Sequence, residues 1–184
     1  QGCYWHLDTR PDEHARMSTS GWMGRLKLAA RAIDGRLKAD PCQSVCHGDA
    51  KGANIVYATA PNGGALPLVY DFQYCGKACV AKDLAYFLNV EANGSEEHLL
   101  GAYHRELSRL LTAQGDSPPT IDTLRTAHEL ALADWRRFSE IGLGGWGDGS
   151  ANRRVQALLD KLDGGKVLAS EQAYIVAMQR EFPV

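Results

Sequence analysis

Two carboxylates and a carboxamide stand out by type and spacing. Asp49 lies in Cys46-His47-Gly48-Asp49, Asn54 follows five positions later, and Asp71 comes seventeen positions after that, at the end of the apolar run Leu66-Pro67-Leu68-Val69-Tyr70. The set suits phosphoryl transfer. The transferred group carries spread negative charge, so a protein mainly holds the reactants in line and supplies countercharge, commonly through Mg2+. Mg2+ takes hard oxygen ligands and keeps several waters, so one carboxylate and one carboxamide, with phosphate oxygens completing the shell, are enough. Asp71 and Asn54 fit that role. Asp49 fits the residue that accepts or orients the proton of an acceptor hydroxyl, work that depends first on hydrogen-bond reach. Each of the three also has an ordinary use as a turn or capping residue, so the inference belongs to the combination.

The intervening residues have to bring Asn54 and Asp71 together. Asn54-Ile55-Val56-Tyr57 and Leu66-Pro67-Leu68-Val69-Tyr70 read as short strands joined across the turn-rich Pro61-Asn62-Gly63-Gly64. A hairpin would set Asn54, at the start of one strand, beside Asp71, at the end of the other. Before it, Trp22, Leu26, Ala29, Ile33 and Leu37 recur at helical spacing and predict a helix over about residues 20–38 that feeds the Asp49 loop. After it, Leu84, Phe87 and Leu88 mark a second helix. Three more stripes follow at Leu99/Tyr103/Leu107/Leu110, at Leu124/Ala131/Trp135/Phe138 and at Val155/Leu158/Leu159/Leu162. Ser95 and Ser170 read as caps of the helices they precede. Breakers fall at Gly115–Pro119, Gly142–Gly149 and Gly164-Gly165. The predicted fold is α+β and mainly helical, a single domain over residues 1–184 with a short catalytic β-hairpin.

The order Asp, Asn, Asp is that of protein kinases, and with its flanks it is more specific. His47-Gly48-Asp49 through Asn54, then Asp71-Phe72-Gln73, Gly76 and Asp83-Leu84-Ala85-Tyr86-Phe87-Leu88 resemble the aminoglycoside phosphotransferase and choline kinase-like superfamily, on its ecdysteroid kinase-like, CHK-type branch. The resemblance spans about residues 44–88. It implies a protein-kinase-like carboxy-terminal lobe, with ATP and Mg2+ used to phosphorylate a small-molecule hydroxyl acceptor. It also implies that Asp49 is the catalytic base and that Asn54 and Asp71 bind the metal and, through it, the nucleotide. By the same resemblance His47 supports the loop by hydrogen bonding, Lys51 contacts the moving phosphate, and Asp83 braces the loop from the next helix. Gln73 stands where protein kinases have glycine, so their activation-loop switching does not carry over. Only 46 residues precede His47, the chain starts at Gln1, and no Gly-rich strand turn or Val-Ala-x-Lys-like strand lies among them. The expectation is therefore a catalytic and acceptor-binding lobe with the nucleotide lobe absent. The alternative is a kinase-derived binding module that no longer catalyses.

Composition narrows the rest. At 184 residues, 45% apolar and 23% charged, the chain can bury one good core unaided. A net charge of -2 argues against nucleic acid or an anionic membrane as partner. No apolar run approaches the roughly 20 residues needed to span a bilayer, and the expected compartment is the cytoplasm. Cys42/Cys46 and Cys75/Cys79 form two C-x3-C pairs, but zinc ribbons use tighter knuckles and Cys3 is left over, so inert buried thiols are expected. Gly142-Leu143-Gly144-Gly145-Trp146-Gly147 matches a phosphate-loop spacing, yet it follows a helix pattern where that loop follows a strand. Asp134, Trp135 and Trp146 are candidates for an acceptor pocket. The competing reading puts Trp135 in the core and Asp134 in solvent. Among the histidines, His6, His14, His98, His104 and His128 show no pairing that suggests chemistry and are expected on the surface or in helices.

Overall fold

Apolar residues at helical spacing build most of the chain in a computed structural model, which describes residues 1–93, 95–144 and 149–184. In order, the elements are α1 (Pro11–Arg16), α2 (Gly21–Ala39), β1 (Gln43–Cys46), β2 (Ile55–Thr59), β3 (Ala65–Val69), β4 (Gly76–Cys79), α3 (Ala81–Glu91), α4 (Glu96–Gln114), α5 (Ile121–Gly142), α6 (Ala151–Asp163) and α7 (Glu171–Glu181). The fold is α+β and mainly helical, as its sequence predicts.

Helix α5 is the centre. Its residues from Leu130 to Ser139 are buried on every side, the pattern of a helix with neighbours all round. Helices α2, α3, α4 and α6 pack on it, and α7 closes against α2 through Tyr174, Ala177 and Met178. A smaller cluster of Leu88, Ala92, Leu100 and Leu124 joins α3, α4 and α5. Gly115 and Gly164 end α4 and α6 with φ of 85° and 63°, left-handed positions that suit glycine. Ser170 caps α7 by accepting from Ala173 N at 3.2 Å. Ser95 does not cap α4; its hydroxyl donates backwards to Ala92 O. The predicted α4 stripe also shifts, since Leu110 is exposed and Leu100 is the buried leucine of that helix.

Two antiparallel pairs position the site. Strand β2 pairs with β3 in the register Ile55↔Val69 to Thr59↔Ala65, the hairpin expected from the sequence. Gly63 turns it at φ 79°, and Gly64 N bonds to Asn62 Oδ1. Strand β1 pairs with β4, from Gln43↔Cys79 to Cys46↔Gly76, and so clamps the two ends of the segment that holds the hairpin. That second pairing, and helix α1, have no counterpart in the sequence reading. Among the described residues no helix is long and apolar enough to cross a membrane.

Candidate active site

The segment from His47 to Asn54 leaves β1 and turns on Gly48. Gly48 has φ 83°, and a Cβ built on it would lie 2.1 Å from Tyr74 O, so only glycine fits there without movement. Asp83, in the first turn of α3, fixes this turn: its Oδ2 accepts from His47 N at 2.6 Å and its Oδ1 from Gly48 N at 2.9 Å. Burial pushes the Asp83 carboxyl above its ordinary value, and the two backbone donors pull against that. Further along α3, Glu91 accepts from Gly52 N at 2.8 Å and pins the far end of the loop.

His47 joins the loop to the hairpin. Its Nδ1 accepts from Asp49 N at 3.2 Å, so Nε2 carries the proton and donates to Tyr70 O at 2.8 Å. Its ring also lies 4.8 Å from that of Phe72.

Asp49 is 3% exposed and its carboxylate is surrounded by donors. Oδ2 accepts from Lys51 Nζ at 2.9 Å and from Asn54 Nδ2 at 3.1 Å, and Oδ1 accepts from the Tyr86 hydroxyl at 3.2 Å. Asn54 Nδ2 also donates to Asp49 O at 2.9 Å, which commits the amide nitrogen inward and leaves the carboxamide oxygen for another partner. His47, Asp49, Lys51 and Asn54 are thus one hydrogen-bonded group.

Asp71 reaches this group only through the backbone. Tyr70 N donates to Asn54 O at 3.1 Å, which carries the hairpin ladder one step past Ile55↔Val69 and brings the next residue, Asp71, to the loop. The Asp71 side chain is exposed, with Gln73 Nε2 at 3.4 Å from its Oδ2, and its φ of 64° is left-handed, a conformation that aspartate tolerates better than most residues. One exposed carboxylate, and a carboxamide oxygen that accepts no hydrogen bond from the described residues, are hard donors of the kind that fit Mg2+ with its waters and phosphate oxygens. Among the described residues no group of three or more His, Cys, Asp or Glu is arranged to hold a metal ion.

The remaining candidates fall elsewhere. Trp135 is core and stacks on Tyr86 at 4.1 Å. Asp134 is buried, neither solvated nor at a pocket: its Oδ2 lies 3.0 Å from Lys82 Nζ and its Oδ1 accepts from Arg137 Nε at 3.0 Å. Burial raises the Asp134 carboxyl, but Lys82 and Arg137 outweigh it and hold the group below its ordinary value. Trp146, with Gly145, Gly147 and Asp148, lies outside the described residues. The thiols of Cys46 and Cys79 are buried and pushed up to about 12 by burial, Cys75 is exposed, and no cysteine is in a disulfide. His14 and His128 are buried within helices rather than at the surface. Sequence reasoning missed Tyr86 and Glu91. Tyr86 sits three residues after Asp83 on the same face of α3, and that spacing is the signal that points it at the loop.

The model of the ecdysteroid kinase-like family matches residues 17–115, just over half of the chain, from the approach to α2 through α4. No curated protein and no solved structure matches the chain.

Proposed function

Because the chain belongs to the ecdysteroid kinase-like family, part of the choline kinase and aminoglycoside phosphotransferase-like superfamily, we propose that it is an ATP- and Mg2+-dependent phosphotransferase acting on a hydroxyl of a small molecule. The observation that carries this reading is the Asp49 carboxylate, buried at the turn of a braced loop and hydrogen-bonded to Asn54, the residue that the hairpin ladder joins to the strand ending at Asp71. A structural role gives little reason to bury a carboxylate at the end of a loop whose partners are a lysine, a carboxamide and a phenol.

In this reading Asp49 takes the proton of the acceptor hydroxyl as the acceptor oxygen bonds to the γ-phosphorus and ADP leaves. Lys51, 29% exposed along its side chain, faces the transferred charge from the same loop. Asn54 and Asp71 would hold the magnesium. Mg2+, when bound, neutralises charge on the phosphate oxygens. His47 and Asp83 keep the loop in shape. The chain would be the catalytic and acceptor-binding lobe of a protein-kinase-like enzyme.

A second reading, a kinase-derived binding module, draws support from the hairpin. Val56, Leu66 and Leu68 on one face of the hairpin and Tyr57 and Val69 on the other are all exposed, apolar surface of the kind that meets a partner. Phosphate transfer from labelled ATP by the full-length protein, with Mg2+, to a panel of alcohols and amino alcohols decides between the two. Turnover that Asp49→Asn abolishes supports the enzyme; no transfer to any acceptor, and no phosphate release, favours the module.

A further inference from the structure

A carboxylate offers about four lone-pair positions to donors. On Asp49 three are taken: two on Oδ2 by Lys51 and Asn54, one on Oδ1 by Tyr86. The open position is on Oδ1, beside the phenol. Tyr86 is held by more than its bond to Asp49. Its ring is 1% exposed and stacked on Trp135 with planes 22° apart, and Trp135 Nε1 donates to Asn89 Oδ1 at 3.0 Å from the same helix as Tyr86.

We infer that Tyr86 is a positioning residue that fixes the carboxylate plane of Asp49 and leaves one lone pair of Oδ1 for the acceptor hydroxyl. The inference rests on Asp49 being the base of a phosphotransferase. Burial raises the Tyr86 phenol well above its ordinary value, so it remains a neutral donor under physiological conditions. Without the Tyr86 hydroxyl, Oδ1 has two open positions and the carboxylate can turn about its bond to Cβ, which costs alignment in the transferring step more than nucleotide affinity.

Two measurements test this. In the chain carrying 13C-labelled tyrosine, the ring Cζ signal of Tyr86, assigned by its loss in Tyr86→Phe, should move in Asp49→Asn. An unmoved signal overturns the hydrogen bond between Tyr86 and Asp49, whatever the protein's activity. In the full-length protein, with phosphate release from Mg-ATP to water as the probe, Tyr86→Phe should lower kcat about tenfold or more and leave the KM for ATP unchanged, since a hydrogen bond to a charged group is lost while the ring stays. Wild-type kcat in Tyr86→Phe, alongside an inactive Asp49→Asn, overturns the positioning role and leaves the phosphotransferase reading standing. A wild-type protein that transfers phosphate to neither water nor any alcohol overturns that reading and the catalytic half of this inference with it, while the Cζ signal still decides whether the pair exists.

Discussion

The two halves of the candidate site are built differently. The loop from His47 to Asn54 sits against α3, with Asp83, Tyr86 and Glu91 all bonded to it and Asp49 almost fully buried. In the hairpin that delivers Asp71 every residue of β3 is exposed and, among the described residues, β3 pairs with β2 alone. A two-stranded hairpin is marginal alone, and its exposed apolar side chains gain nothing while they meet water. The proposed base is therefore preorganised by this chain, whereas the proposed metal-binding carboxylate is placed by backbone register and would be completed by what it binds. Preorganisation of the group that meets the acceptor saves alignment at the moment of reaction. A metal ligand that takes its geometry from Mg2+ and phosphate has less need of it.

The largest expected effect falls on the buried half. In the full-length protein Asp49→Asn should cut turnover by about 10²–10⁴, the usual range for a lost general base, with nucleotide binding nearly intact by calorimetry. Near-wild-type turnover would mean that the buried half is scaffold and the comparison has its functional side wrong.

Two glycines sharpen the contrast in stability. Gly48 and Gly63 have similar positive φ, 83° and 79°, but a Cβ on Gly48 meets Tyr74 O at 2.1 Å and Cys3 N at 2.9 Å, whereas a Cβ on Gly63 meets nothing within 4 Å. Gly63→Ala should therefore cost about 1 kcal/mol, the left-handed penalty alone. Gly48→Ala should cost about 3 kcal/mol or more, because backbone has to move as well. Urea denaturation of the two variants reads the difference, and equal costs would mean that the loop is not packed as tightly as its neighbours imply.

The two proposed metal ligands should separate in the same way. Asn54→Ala strips a donor from buried Asp49 and should cost about 1–3 kcal/mol of stability as well as metal affinity. Asp71→Asn keeps a residue that tolerates the left-handed backbone and sits in solvent, so stability should change by less than about 0.5 kcal/mol while the Mg2+ needed for activity rises. Melting curves beside magnesium titrations check both. A strongly destabilised Asp71→Asn would show the exposed half to be more integrated than its contacts suggest.

The same division governed what the sequence could reveal. Asp49, Asn54 and Asp71 could be singled out because phosphoryl-transfer chemistry dictates residue type, and the fold bonds the first two together; the hairpin was legible because its turn and its strands are contiguous. Helices α2 to α7 were legible because their apolar period is local. The pairing of β1 with β4 was not, since Gln43–Cys46 and Gly76–Cys79 are short, lack alternation and meet across thirty residues. Asp134 was misread because its partner Lys82 is remote in sequence, and a buried aspartate looks like a solvated one until that partner is seen. Tyr86 entered the sequence reading only as one residue of Asp83-Leu84-Ala85-Tyr86-Phe87-Leu88; the fold alone aims its hydroxyl at Asp49.

The smallest effect concerns acid, and it too should divide the molecule. His128 lies in α5 among the core helices, 1% exposed, with Nε2 unpartnered and Arg154 Nη2 3.5 Å from Nδ1. Burial lowers its proton affinity in the folded state; Glu96, 3.7 Å away, pulls the other way, and the Arg154 charge adds to the lowering. A folded value below the unfolded one means that the unfolded chain binds the proton more readily. The stability that neutral His128 allows is therefore present above the ordinary histidine value of about 6.5 and is lost as pH falls below it, by at most about 1.4 kcal/mol per pH unit. His128→Gln, which cannot charge, should show a flatter melting temperature than wild type between about pH 7 and pH 5. Hydrogen exchange over the same range should loosen α5 and its neighbours before the hairpin, whose amides are already the more exposed. An identical pH dependence in wild type and variant would mean that Glu96 keeps His128 charged in the fold, and that the core of this half tolerates the charge.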